Sequence, residues 1–156
     1  MVRSKVKIGV LALQGDFAEH KSVLDNLNVD CSIVKKPNEL SELNGLIIPG
    51  GESTTIKKLI DRYDFENEIK EKVSSGMSVW GTCAGLICIA NKLTEPEPTP
   101  MKLINAKVSR NWFGRQVDSF ESDINFQDVK FHKHSNFPFK GGESNGRERL
   151  KFYLWE

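Results

Sequence analysis

Apolar positions along this chain fall into short continuous runs, separated by stretches in which they recur every three or four residues. Val6-Lys7-Ile8-Gly9-Val10-Leu11-Ala12-Leu13 is apolar and rich in β-branched residues, which predicts a buried strand of the parallel-sheet kind. Residues 17–26 predict a helix, with Asp16 as its cap and Phe17, Val23, Leu24 and Leu27 turned towards the core. Residues 29–34 read as a second strand, which Lys36-Pro37-Asn38-Glu39 breaks, and a short helical turn is expected over residues 39–43. Leu46-Ile47-Ile48 is a third strand, short and wholly apolar. Helical patterns cover residues 54–63 and 65–75, and Gly76 stops the second. Val79-Trp80 forms a fourth apolar run, and a further helix is expected from Ala84 to about residue 90. Thr94-Glu95-Pro96-Glu97-Pro98-Thr99-Pro100 excludes helix and central strand, so a stiff, exposed loop within the domain is expected there. Lys107-Val108-Ser109 resumes as a strand.

Strands alternating with helices argue an open, mostly parallel α/β sheet. In such sheets, sites form at the carboxyl ends of strands. Three marked turns lie at that end: Gln14-Gly15-Asp16, Gly50-Gly51-Glu52-Ser53 and Cys83. Cys83 sits between Gly81 and Gly85 in a G-x-C-x-G frame, the spacing of a nucleophile elbow with Cys in place of Ser. The nucleophile of an elbow needs small neighbours, because strand and helix meet closely around it. At a helix N-terminus, exposed N–H groups favour the thiolate, and the amide of Ala84 can donate to a developing oxyanion. A buried apolar Cys in a Gly-rich turn fits the same letters. Pro49-Gly50-Gly51-Glu52-Ser53-Thr54-Thr55 is a candidate anion cradle, with Ser53 or Thr54 able to cap the next helix. It lacks the Lys of a phosphate loop, and an ordinary Gly-rich turn is the alternative. The run from Arg110 to Phe120 holds two arginines, an Asn, a Gln and aromatics. That set suits a small carboxylate or amide ligand, or simply a solvated loop.

Composition narrows the class. A chain of 156 residues is long enough for one domain with a sizeable core. A net charge of +1 gives no pointer to nucleic acid or an anionic membrane, and no apolar run is long enough to span a bilayer. Met1-Val2-Arg3-Ser4-Lys5 leads straight into a strand without a signal-peptide core. Three cysteines without metal-ligand spacing suit a reducing compartment, and Cys31 and Cys88 read as core packing. The expectation is a soluble, cytoplasmic, globular protein that binds no metal. From about residue 127 the pattern loses its period and becomes rich in Gly, Asn and charge. His132 and His134 in that stretch are possible ligands or bases, but a disordered or poorly packed tail is the stronger expectation.

The motifs together resemble the glutaminase subunits of pyridoxal 5'-phosphate synthase, which are class I (triad) glutamine amidotransferases. Ile8-Gly9-Val10-Leu11-Ala12-Leu13-Gln14-Gly15-Asp16 is similar to their opening strand. The Pro49–Thr55 turn and Gly81-Thr82-Cys83-Ala84-Gly85-Leu86-Ile87 are similar to their substrate loop and elbow. Arg110-Asn111 with Gly114-Arg115-Gln116-Val117-Asp118-Ser119-Phe120 resembles a further signature of these subunits. The resemblance covers residues 6–126, which divides the chain into an amidotransferase-like domain over residues 1–126 and an atypical tail over residues 127–156. It implies a flavodoxin-like sheet with helices on both faces, incomplete at its C-terminal part. It implies hydrolysis of L-glutamine to glutamate and ammonia without a cofactor, the ammonia passing to a synthase partner. Cys83 would form a thioester, the amides of Gly51 and Ala84 would hold the oxyanion, and Gly50, Gly51, Glu52, Ser53 and Arg110 would bind glutamine.

The family's triad ends in a His and a Glu within a His-Pro-Glu stretch, preceded by a strand ending in an Ile-Arg pair. Neither occurs here, so no triad His or Glu is identified, and His132 and His134 follow neither pattern. The chain is shorter than the family by a few dozen residues, and its tail reads as a frameshift, misspliced end or truncation would. The alternative function is therefore a non-catalytic homologue that at most binds glutamine or the synthase. Marginal stability is expected of the isolated chain.

Overall fold

The computed structural model describes residues 6–110, with residues 120–126 and 129–135 described by backbone alone. Its central sheet is built from β1 (Lys7–Leu11), β2 (Asp30–Val34), β3 (Gly45–Ile48) and β4 (Ser78–Gly81) in the order β2-β1-β3-β4. All three pairings are parallel, and Leu46 of β3 stands opposite Val79 of β4. The sheet reverses direction of growth between β1 and β3, as in flavodoxin-like folds, and the crevice at that switch point is where such folds bind ligands.

Helices α1 (Phe17–Asn26), α2 (Ser53–Arg62), α3 (Phe65–Ser74) and α4 (Ala84–Ile89) connect the strands, and a 3-10 turn spans Pro37–Leu40. That turn comes earlier than the expected residues 39–43, because Pro37 starts it with its fixed φ. The core lies where α2, α3 and α4 meet the sheet. Leu11, Val34, Leu46 and Ile48 from the strands pack with Ile56, Ile60, Phe65, Ile69 and Ile89 from the helices. Each such side chain, once enclosed, contributes about 1.5–3 kcal/mol relative to exposure.

Helix α1 departs from expectation, since it buries no residue completely. Phe17 and Leu24 are half-buried, two turns apart on one face. Val23 lies a 100° step round the helix from Leu24 and is 50% exposed. Leu27, beyond the last helical residue, is 67% exposed.

Two short strands, β5 (Lys92–Leu93) and β6 (Lys107–Val108), pair in parallel beyond α4. The connection between them is not wholly exposed, since Pro98 is buried and Met101 is fully enclosed. Finally β7 (Phe120–Phe126) and β8 (Val129–Ser135) form an antiparallel hairpin, with Ile124 opposite Phe131 and Asp123 opposite His132. The expected patternless tail thus contains a strand. Residues 129–131 alternate apolar and polar, and β7 supplies a partner ladder for residues whose own composition is a weak strand signal. Among the described residues, no helix is long and apolar enough to cross a membrane.

Candidate active site

The elbow forms as its spacing requires. Strand β4 ends at Gly81 and α4 begins at Ala84, leaving Thr82 and Cys83 to make the whole turn. Cys83 is held at φ 49° and ψ −109°, a region that L-residues rarely occupy. Surrounding bonds fix it there: Thr82 N–H donates to Ile48 O at 3.1 Å, Gly85 N–H to Thr82 O at 2.8 Å, and Ile87 N–H to Cys83 O at 3.2 Å. Gly85 lets α4 press against the end of β3. A Cβ at Gly85 would stand 1.9 Å from Ile48 O, and one at Gly81 would stand 2.4 Å from the Gly85 carbonyl carbon.

The other two marked turns converge on the same place. Gly15 lies so close to the Gly50 carbonyl that a Cβ there would sit 1.8 Å from the oxygen, and its φ is +100°. Asp16 N–H donates to Gly50 O at 3.1 Å, and Glu52 N–H donates to Gln14 Oε1 at 2.9 Å. The β1–α1 turn therefore holds the Gly-Gly turn by bonds to both sides of Gly51. A Cβ at Gly50 would meet Cys83 Cβ at 3.4 Å and Asp16 Oδ2 at 3.6 Å, so Gly50, Asp16 and Cys83 line one small space.

The half-buried Cys83 thiol does not follow the expected drop in pKa. Burial pushes it up, and the charges of Asp16 and Glu52 act in the same sense. Hydrogen bonds from the backbone N–H groups of Ala84 and Gly51 act the other way, favouring the thiolate. In this short helix, desolvation outweighs two donors. In Cys88 the same cause goes further: burial raises its thiol to about 12, and Sγ faces Ser53 O at 3.6 Å. Cys31 is only half-buried, not the core residue expected of it.

Caps also differ from expectation. Asp16 precedes α1 without a side-chain capping bond. Neither Ser53 nor Thr54 caps α2, because the chain enters the helix one residue earlier, at Glu52. The Glu52 carboxylate accepts from Thr54 N–H at 3.0 Å and from Thr54 Oγ1 at 2.7 Å, and these bonds lower its pKa. Arg110 comes to the same carboxylate, with Nη2 3.3 Å from Glu52 Oε1. An anion and a cation are thus paired beside the Gly turn. Ser53 is buried at the start of α2.

Two residues that the pattern did not single out bear on the site. His20, on α1, places Nε2 3.0 Å from Thr82 Oγ1 and packs edge-on to Trp80 at 5.8 Å between ring centroids. Burial lowers its pKa, against the opposing charges of Asp16 and Glu19. Glu95 accepts three bonds, from Thr94 Oγ1 at 2.7 Å, Ser109 Oγ at 3.0 Å and Arg110 N–H at 3.0 Å. Burial raises its carboxyl, but those bonds prevail and bring it to about 2. Neither residue sits in a motif, and no signal in the sequence distinguishes them. His132 and His134 fall in β8 opposite Asp123 and Glu121, with side chains outside the described residues. Asn111 to Ser119 also lie outside them. Among the described residues, no cluster of three or more His, Cys, Asp or Glu could hold a metal ion.

Comparison with known proteins gives this geometry a context. The family model of the SNO glutamine amidotransferases matches residues 10–139. A pyridoxal 5'-phosphate synthase subunit PdxT from Thermosipho africanus is 46% identical over 76% of this chain and 63% of its own length. The PdxT subunit of Dehalococcoides mccartyi is 49% identical over 85% of this chain and 68% of its own. The chain thus spans about two thirds, or slightly less, of the curated relatives it matches. A crystal structure of a glutamine amidotransferase superposes with a TM-score of 0.75 at 45% identity, covering 81% of this chain and 69% of the other.

Proposed function

Because the chain belongs to the SNO glutamine amidotransferase family, we propose that these residues carry the nucleophile, the oxyanion donors and the glutamine clamp of a glutaminase subunit of pyridoxal 5'-phosphate synthase. One observation carries the reading furthest: the Gly50-Gly51 turn is pinned against a strained Cys83, with the amides of Gly51 and Ala84 both acting on its sulfur.

In this reading, Cys83 Sγ attacks the carbonyl carbon of the glutamine side-chain amide. Negative charge grows on the amide oxygen, and the Gly51 and Ala84 N–H groups donate to it. The C–N bond then breaks, ammonia leaves with the thiol proton, and a γ-glutamyl thioester remains on Cys83. Water releases glutamate and restores the thiol. The opposite charges of Arg110 and Glu52 match the α-carboxylate and α-ammonium of an amino acid, and they pair with each other at 3.3 Å. Gly50 and Ser53 shape the backbone on which that clamp rests. The relatives are named as synthase subunits, and from this we infer a synthase partner that receives the ammonia. Three free thiols suit a reducing, cytoplasmic setting.

A second reading is glutamine binding without turnover. It is favoured by the raised thiol pKa of Cys83, which leaves little of the nucleophilic thiolate. Ammonia release from L-glutamine, with and without a cognate synthase and beside Cys83→Ala, separates the two. Turnover that needs Cys83 supports the glutaminase. No turnover with measurable glutamine binding supports the second reading, and absence of both overturns the assignment.

A further inference from the structure

We propose that Glu95 is a positioning residue for the candidate glutamine clamp, setting Arg110 so that its guanidinium meets Glu52 beside the Gly turn. The proposal rests on the glutamine-site reading above and deepens it.

The local chain gives Arg110 little other support. It follows β6, which pairs with β5 over only two residues each. Beyond that ladder, Thr94 N–H donates to Val108 O at 3.0 Å, and regular pairing ends. The Glu95 carboxylate then takes over. One oxygen accepts from Thr94 Oγ1 and from Arg110 N–H, and the other accepts from Ser109 Oγ. It therefore ties the exit of β5 to the exit of β6 and fixes the root of the Arg110 side chain. The tip is fixed separately: Arg110 Nη1 donates to Glu97 O of the same connection at 2.9 Å, while Nη2 faces Glu52, the cap of α2, at 3.3 Å. A long side chain held at root and tip loses little further freedom when a carboxylate arrives.

Acceptors matter in this arrangement. A carboxylate accepts with both oxygens, so it can take all three donors at once. A glutamine at residue 95 can keep its oxygen on Thr94 Oγ1 and Arg110 N–H while its NH2 donates to Ser109 Oγ, whose hydroxyl turns to accept, so Glu95→Gln preserves the root of Arg110. Glu95→Met keeps the length of the side chain but offers only a weak sulfur acceptor, so it releases the Arg110 amide and Ser109 Oγ, and Cys83 and its two amides stay untouched.

The test uses the full chain and a diazoketone analogue of glutamine, which alkylates a site thiol, with adduct formation followed by intact mass. Half-saturating analogue concentration and limiting rate are measured for wild type, Glu95→Met, Glu95→Gln, Arg110→Ala and the double variant of Glu95→Met with Arg110→Ala. Iodoacetamide reports thiol access. The expected result for Glu95→Met is a half-saturating concentration raised about tenfold, with limiting rate and iodoacetamide rate unchanged, while Glu95→Gln stays near wild type. In the Arg110→Ala background, Glu95→Met adds nothing further. An unchanged half-saturating concentration in Glu95→Met, or a full effect of Glu95→Met without Arg110, overturns the assignment alone. Labelling of the wild-type chain that never saturates overturns the glutamine site, and this proposal with it.

Discussion

Gly85→Ala tests the elbow through a single methyl group. The added Cβ would stand 1.9 Å from the Ile48 carbonyl oxygen and 2.7 Å from its carbon. Both belong to the backbone of β3, so no side-chain rotation relieves the overlap. A carbon and a carbonyl oxygen settle no closer than about 3.3 Å, so α4 must withdraw from β3 by about 1.4 Å. Overpacking of a close-packed core costs about 1–3 kcal/mol, and a backbone overlap belongs at the upper end. In a domain of this size that lowers Tm by about 2–4 °C for each kcal/mol. Withdrawal of α4 also moves the Ala84 amide and Cys83, and a misplacement of about 1 Å at a reacting centre lowers rates about 100-fold. Gly76→Ala is the comparison. Nothing lies within 4 Å of a Cβ there, but its φ of +108° makes a side chain unfavourable. That strain costs about 1–2 kcal/mol and falls just before β4, at the opposite end of that strand from the elbow. Thermal unfolding and diazoketone labelling of Cys83 should therefore separate the two variants. Both lose stability, and only Gly85→Ala loses labelling. A Gly85→Ala protein with wild-type Tm and wild-type labelling rate would refute the close approach.

Other consequences follow from charge and burial. Lys57 is buried on α2 and pairs with Asp61 at 2.5 Å and with Glu66 of α3 at 2.7 Å. Lys57→Ala should destabilise the chain by about 2–3 kcal/mol in urea unfolding, below the range for a wholly buried pair because Asp61 is half-exposed. Burial raises the Glu66 carboxyl, but bonds from Lys57 and Lys70 bring it from an ordinary value of 4.5 down to about 2. A lowered carboxylate contributes stability that is complete above its unfolded pKa and is lost as pH falls through the folded one. The urea midpoint should thus fall between pH 5 and pH 2, and Glu66→Gln should flatten that fall. Cys88 is fully enclosed with its thiol raised to about 12. Iodoacetamide at pH 8 should modify Cys83 and Cys31 while leaving Cys88 intact until denaturant is added, as peptide mapping would report.

The features legible in the sequence are those whose cause is local. Gly81, Cys83 and Gly85 carry the elbow in their spacing, and Leu46-Ile47-Ile48 carries a buried parallel strand in its composition. The convergence of three turns followed from topology, since parallel strands put their carboxyl ends on one edge. What stayed hidden depends on distant partners or on energetic balance. Glu95 looks like any acidic residue in a Pro-rich loop until Arg110 and Ser109 fold back onto it. His20 gains a role only because α1 lies beside Thr82. Glu52 displaces Ser53 as the α2 cap because a carboxylate one residue earlier already reaches Thr54 N–H. The Cys83 pKa depends on how much water the fold excludes, which a motif does not record. Val23 is apolar without being enclosed because its spacing takes it off the Phe17–Leu24 face, and Leu27 because the helix has ended before it.

Whether Cys83 stands in a glutamine-shaped site is tested most directly by alkylation of the intact chain with the diazoketone analogue, in the presence and absence of L-glutamine. A single adduct is expected, mapping to Cys83, forming at a saturable rate and slowed by glutamine in proportion to its occupancy. An adduct on Cys31, or labelling of Cys83 at the same rate with and without glutamine, would contradict it.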